Sequence, residues 1–343
     1  MRNAWLRFLF LFAFIISVTT LNATAQTAAR PSATPRANVA QPNTSPIAQD
    51  DKGIVFTTRR VNLPITVLDK KGLPVAGLTQ SDFLIFEDKQ PQTIDSFAVE
   101  SNKLPLNVGV LMDTSSSTAG KLKFQQESAM NFINTVVRLR KDQVAFATFD
   151  DEVVVKQDFT TKLDLLDKAV YSVKKPGEHT SLYDAIYRFC DEKMRGVRGL
   201  RALVIITDGD DTYSRATMRE AIEMAQATET MVFAISTKSG LAGSVPGVDS
   251  GTVMDSGDKV LDRMCQETGG RAFFTGDVLE LERAFTRIAK ELRAQYIVTY
   301  RPTNERFDGS ERKIEVRLAQ KKGGMKVRTR GGYKATGDAL TQQ

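Results

Sequence analysis

Histidine and cysteine are nearly missing from this chain: its 343 residues contain one His and two Cys. A metal site built on imidazoles or thiolates is therefore excluded, and a Ser, Cys or Lys nucleophile would have only His179 as a base, a poor basis for a triad. Cys190 and Cys265 allow a single disulfide; both sit in helix-like, partly apolar contexts, where two buried thiols are the alternative. No cysteine lies near the N-terminus, which argues against a lipid anchor there. Beyond the first twenty residues no apolar run is long enough to cross a bilayer. Internal repeats and heptads are absent. Basic residues are not interleaved with stacking aromatics, so a nucleic-acid partner is not expected.

The N-terminus carries Arg2 and Arg7, the almost wholly apolar stretch Leu6 to Val18, and Ala23-Thr24-Ala25 ahead of Gln26. These are the parts of a secretory signal over residues 1–25, with an uncleaved anchor as the alternative. The expected location is secreted, periplasmic or cell-envelope. Residues 26–50 are Ala, Pro, Thr, Ser, Gln and Asn with almost no large apolar side chains, and read as a flexible linker. The net charge of +6 is uneven, because residues 301–334 hold eleven Lys or Arg against four Asp or Glu. There the charges alternate with Ile314, Val316 and Leu318, as on the wet face of a strand.

Between these ends the periodicity changes twice. Residues 51–101 read as β: Val61, Leu63, Ile65 and Val67 alternate with other residues, Asp69 to Gly72 is a turn, and Asp82 to Glu87 and Thr93 to Val99 suggest two further strands. Residues 102–294 alternate apolar strands (Pro105 to Met112, Gln143 to Phe149, Ala202 to Thr207, Met231 to Ser236, Ala272 to Phe274) with amphipathic helices. One helix carries Phe132, Ile133, Val136 and Val137, another Leu281, Phe285, Ile288 and Leu292. This predicts an α/β fold with a doubly wound, mostly parallel sheet. Lys238 to Asp258, with five glycines, reads as a long loop at the carboxyl edge of that sheet and a candidate specificity loop. Residues 295–335 return to β, and 336–343 form a tail. Each β segment alone has too few strands to be stable, so the two are expected to pair into one β-sandwich rather than stand as independent pieces.

Ligands of a doubly wound sheet gather at the carboxyl ends of its strands. Three features map there. Asp113-Thr114-Ser115-Ser116-Ser117 follows the first α/β strand, with Asp113, Ser115 and Ser117 at alternate positions. Thr180 immediately precedes the helix beginning Ser181-Leu182-Tyr183, where its hydroxyl serves as a cap or turns toward a metal. Asp208 ends the strand Leu203 to Thr207 and precedes Gly209-Asp210-Asp211, an acidic turn. Each alone is an ordinary cap or turn, but together they are five oxygen donors at one sheet edge, with neither His nor Cys among them.

The arrangement resembles the von Willebrand factor type A (VWA) domain and its metal-ion-dependent adhesion site, over about residues 104–294. The resemblance implies that Ser115 and Ser117 ligate the ion directly, Thr180 directly or through water, and Asp113 and Asp208 directly or through water and hydrogen bonds. It implies Mg²⁺, with Ca²⁺ or Mn²⁺ as alternatives, and an open coordination position filled by an Asp or Glu of a protein partner. The flanking segments are similar to exported bacterial VWFA-related proteins of the acidobacterial type, through Leu68 to Leu78, Asp82-Phe83, Phe86-Glu87-Asp88, Gln92-Thr93-Ile94, Tyr296 to Tyr300, Arg312 to Val316 and Arg330 to Tyr333. The expected function is a non-enzymatic, metal-dependent adhesion or assembly module. The alternatives are a structural envelope protein whose metal stabilises the fold, and a metal-dependent hydrolase.

Overall fold

Six strands with few exposed side chains form the centre of the molecule, in the order β10-β9-β8-β5-β6-β7. They are β5 (Leu106–Asp113), β6 (Gln143–Phe149), β7 (Val153–Thr160), β8 (Leu200–Thr207), β9 (Thr230–Ser236) and β10 (Ala272–Phe274). This computed structural model describes residues 60–99, 104–138, 141–174, 176–237, 255–274, 278–320 and 324–336, all within one compact unit, Val55–Gln343. The signal segment, the linker and residues 337–343 lie outside them. Five central strands are parallel, and β7 runs antiparallel to β6 at one edge. β5 is buried along its whole length, which its near-continuous apolar run requires of a strand covered on both faces.

Helices α1 (Leu122–Val136), α2 (Leu163–Tyr171) and α6 (Val278–Arg293) cover one face, and α3 (Leu182–Phe189), α4 (Met218–Ala227) and α5 (Ser256–Thr268) the other. The stripe Leu281, Phe285, Ile288 and Leu292 on α6 is buried, with Phe285 edge-on to Phe132 of α1, ring centres 5.5 Å apart. On the opposite face Gly109 lets α3 approach closely, because a Cβ there would lie 2.3 Å from the Phe189 ring and 2.7 Å from Leu203 Cδ1. The proposed loop Lys238 to Asp258 needs correction at its end. Residues 238–254 lie outside the described residues, but Asp255 caps α5 through the Asp258 amide (2.9 Å) and residues 256–258 are its first turn.

The β segments at either end of the chain interleave. One sheet has the order β13-β1-β11-β4, the other β14-β12-β2-β3. The strands are β1 (Val61–Leu68), β2 (Phe83–Glu87), β3 (Gln90–Gln92), β4 (Ile94–Ala98), β11 (Tyr296–Tyr300), β12 (Glu311–Leu318), β13 (Lys326–Arg328) and β14 (Gly332–Lys334). Every strand of the first sheet is antiparallel to its neighbour, with Val61 opposite Tyr300, about 240 positions later. The two sheets share one apolar core, including Leu63, Ile65, Phe83, Ile85, Tyr296 and Val298. Inside it the Glu87 carboxylate accepts hydrogen bonds from the Tyr300 and Tyr333 hydroxyls, each 2.8 Å.

The basic C-terminal segment divides in two. Lys313 and Arg317 stand on the exposed face of β12, as alternation predicts, but Arg312 and Arg330 are each less than a tenth exposed. Residues 328–334 join the β sheets to the α/β layer. Arg328 pairs with Glu291 on α6 (3.1 Å), the Thr329 hydroxyl donates to the Pro64 carbonyl (2.9 Å), and the Gly331 amide donates to the Glu267 carbonyl on α5 (2.9 Å). Arg330 donates to the carbonyls of Gln226 (2.8 Å) and Asn62 (2.9 Å). Cys190 and Cys265 are both free and buried, and burial pushes the Cys190 thiol up to about 12. The thiol alternative therefore holds over the disulfide.

Candidate functional site

The parallel register brings the site together. β5 and β8 pair with Met112 opposite Ile206, so Asp113 and Asp208 leave adjacent strands side by side at the carboxyl edge. After Asp113 the chain stays extended through Ser115 and then turns into a short 3₁₀ segment, Ser116–Lys121. Thr118 fixes that turn by donating its hydroxyl to the carbonyls of Ser115 (2.8 Å) and Asp113 (3.2 Å).

The hydroxyl oxygens of Ser115 and Ser117 lie 3.0 Å apart, and Ser117 donates to Asp208 Oδ2 at 2.8 Å. Asp113, fully buried, sits behind them: its Oδ1 accepts from the Ser115 amide (2.9 Å) and its Oδ2 from the Thr207 hydroxyl (2.6 Å). Burial pushes its carboxyl up to about 6, against the hydrogen bonds from Thr207 and Ser115, and the nearby Asp208 charge adds to the rise. An ionised Asp113 is thus short of positive charge in its surroundings.

Thr180 is buried and precedes α3, whose first residue is Leu182. Its amide donates to Thr212 Oγ1 (2.9 Å), and its carbonyl accepts from the amides of Thr212 (2.9 Å) and Tyr213 (3.0 Å). Its hydroxyl makes no hydrogen bond among the described residues and caps no helix. The first amides of α3 are met elsewhere, Tyr183 by Asp211 Oδ1 (3.3 Å) and Asp184 by Ser214 Oγ (3.0 Å). Asp211, read from sequence as part of a solvated acidic turn, is half-buried and also receives the Ser214 hydroxyl at 2.6 Å.

Hydrogen bonds thus place four of the five sequence-predicted residues, Asp113, Ser115, Ser117 and Asp208, in one cluster. Thr180 is tied to the same edge through neighbouring segments. Ser116 donates to the Glu178 carbonyl (3.0 Å), and the Gly177 amide donates to the Thr114 carbonyl (2.8 Å). Thr207 is the supporting residue that sequence reasoning missed, since a β-branched residue closing a strand carries no signal of its own. His179 lies at the rim, its Nδ1 2.6 Å from Asp151 Oδ1 and its ring stacked on Tyr213.

The donor set is rich in hydroxyls and has two carboxylates. Among the described residues no group of three or more His, Cys, Asp or Glu is placed to hold a metal ion. Two serine hydroxyls, a threonine hydroxyl with no hydrogen bond among the described residues and two carboxylates are hard oxygen donors, a set whose chemistry suits a divalent cation.

A family model described as von Willebrand factor type A domain matches residues 107–287, more than half of the chain. The chain belongs to that family. Solved structures with a similar fold include an aerotolerance-related membrane protein from Bacteroides fragilis (15% identity, 55% of this chain and 98% of that chain, TM-score 0.43). Others are proximal thread matrix protein 1 from the mussel byssus with a zinc-occupied MIDAS motif (14%, 60% and 50%, TM-score 0.45) and the vWF domain of the type V pili tip protein Mfa5 from Porphyromonas gingivalis (20%, 34% and 40%, TM-score 0.30). Comparison with curated proteins finds no match.

Proposed function

We propose that this chain is an exported, divalent-metal-dependent protein-binding module acting in adhesion or assembly, and that it is not an enzyme. In this reading Ser115 and Ser117 ligate Mg²⁺ directly, with Ca²⁺ or Mn²⁺ as substitutes, and Thr180 joins them directly or through water. Asp208 and Asp113 complete the set. Because both oxygens of Asp113 already accept protein hydrogen bonds, its part is to orient Ser115 and balance charge from behind. The ion, when bound, supplies an electrophilic docking point for a partner's Asp or Glu. The observation that carries this reading is the meeting of oxygens at the carboxyl edge of the sheet, Ser117 Oγ lying 3.0 Å from Ser115 Oγ and 2.8 Å from Asp208 Oδ2.

The division into signal (1–25), linker (26–50), β segment (51–101), VWA domain (102–294), second β segment (295–335) and tail (336–343) belongs to the same proposal. Among the described residues no helix is long and apolar enough to cross a membrane. A purely structural metal is the competing reading, since the cluster also ties β5 to β8.

The test is direct. Purified chain should bind Mg²⁺ by calorimetry, and Ser115→Ala should weaken that binding at least tenfold. Partners captured from envelope extract in Mg²⁺ should elute with EDTA and rebind when Mg²⁺ returns. Capture indifferent to EDTA sinks the metal bridge, and folding lost on chelation without any metal-dependent capture favours the structural role.

A further inference from the structure

At the amino ends of β8 and β9, the end of the central sheet opposite Asp113, a cavity of about 780 Å³ opens between the α/β layer and the sheet of β1 and β11. That volume lies within the range of small-molecule sites, roughly 300–1,000 Å³. Leu200, Met231 and Ile297 supply apolar wall. The charged groups are Arg198, Arg201 and Glu229.

Their balance is positive. Arg201 is mostly buried and held in place, its Nε donating to the Val197 carbonyl (2.8 Å) and its Nη1 to the Thr228 carbonyl (2.5 Å). The Glu229 carboxylate comes no nearer than 4.0 Å to Arg201 and 3.7 Å to Arg330, beyond hydrogen-bond length. Arg198 is exposed and, among the described residues, its side chain has no hydrogen bond or ion pair. Burial lowers the Arg201 pKa, and the charge of Arg330 lowers it further against the opposing pull of Glu229. Two guanidinium groups therefore share one loosely engaged carboxylate, and Arg198 adds a third positive charge beside them.

The backbone around the cavity turns through left-handed conformations, costly at one residue. Gly196 and Gly199 have φ of 77° and 103°, and Glu229, which has a Cβ, has φ of 52°. A left-handed non-glycine residue costs about 1–2 kcal/mol and persists where its surroundings fix it, often at a binding site.

We propose that this cavity binds a small amphipathic carboxylate, with its head group on Arg198 and Arg201 and its apolar body along Leu200, Met231 and Ile297. The chemistry is shared by a medium-chain fatty acid and by the free C-terminus of a short apolar peptide. The site lies away from the metal cluster and does not depend on the reading of that cluster.

The experiment is calorimetric titration of the full chain, in EDTA, with octanoate and separately with the tetrapeptide Ala-Val-Leu-Val; octan-1-ol and the peptide amide are the uncharged controls. At least one carboxylate should saturate at one site per chain and bind at least tenfold more tightly than its control. The stronger of the two identifies the source. Arg198→Ala should weaken it roughly tenfold and leave the melting temperature unchanged, because Arg198 is exposed and unpaired. Absence of saturable binding by both carboxylates, equal binding of the uncharged controls, or undiminished binding by Arg198→Ala would each overturn the proposal.

Discussion

The two ends of the central sheet are built from opposite materials. At the carboxyl edge the groups that meet are neutral hydroxyls and two acids, fixed by short contacts between residues of adjacent loops. At the amino edge they are arginines and carboxylates recruited from distant parts of the chain. Asp142, wholly buried ahead of β6, accepts from the Leu106 amide (3.1 Å), from Arg138 (2.9 Å) and from Arg293 at the end of α6 (3.1 Å). Arg330 joins α4, β1 and Glu229 nearby. One edge is left short of cations and the other is cross-linked by them. Cation affinity should therefore be concentrated at the first edge and folding stability at the second.

The largest break in that contrast should come from Arg330→Ala. It leaves two carbonyls without their donor and Glu229 without one of its cations, which should cost about 3 kcal/mol. The check is the urea midpoint of purified chain, with Mg²⁺ binding by the folded fraction unchanged. A loss below about 1 kcal/mol would mean that the amino edge is not where stability resides.

Asp142 should give the next largest effect. Burial alone would raise its carboxyl, but the hydrogen bonds from Arg138, Leu106 and Arg293 prevail and bring it down to about 2 from its ordinary 3.8. A carboxyl depressed by folding contributes stability in full above the unfolded value and loses it as pH falls through the folded one. Here the contribution is about 2 kcal/mol above pH 4, lost on approach to pH 2. Asp142→Asn should therefore be destabilised at pH 7, with the gap from the natural chain narrowing steadily between pH 4 and 2 in urea titrations. A pH-independent gap would assign the loss to packing.

The smallest effect should be Thr207→Val, which removes the 2.6 Å hydrogen bond to Asp113 at the other edge and the weaker one that the hydroxyl accepts from the Gly209 amide (3.1 Å). Mg²⁺ affinity should fall roughly tenfold with a stability change near 1 kcal/mol or less. Calorimetry and melting on the same sample separate the two. Equal and large losses in both would erase the distinction between the edges.

The contrast also explains what could be read from sequence. The parallel strands β5, β8 and β9 are continuous apolar runs, and Asp113, Ser115 and Ser117 sit within five residues of one another, so local pattern suffices. β7 is missed because it is a half-exposed antiparallel edge strand, alternating between intermediate and exposed positions without such a run. Thr207 is missed because its role is set by a neighbour 94 positions away. Arg312 and Arg330 read as surface charge, since nothing local says that a carbonyl or carboxylate waits in another segment. The loop expected over Lys238 to Asp258 overruns the start of α5 because the turn that Asp255 opens, Ser256 to Asp258, carries no apolar signal.

The interleaving of the β segments also sets a timetable. Among the described strands β1 pairs with β11 and β13, β4 with β11, and β2 with β12 besides its hairpin partner β3. A ribosome must make some 200 further residues before Tyr296 appears, and until then β1 and β4 present unpaired backbone and apolar side chains. Pairing across so long a loop is slow, and open strand edges favour aggregation. The α/β layer can fold as it emerges, but the sheets beside it cannot close until β11 to β14 have been made.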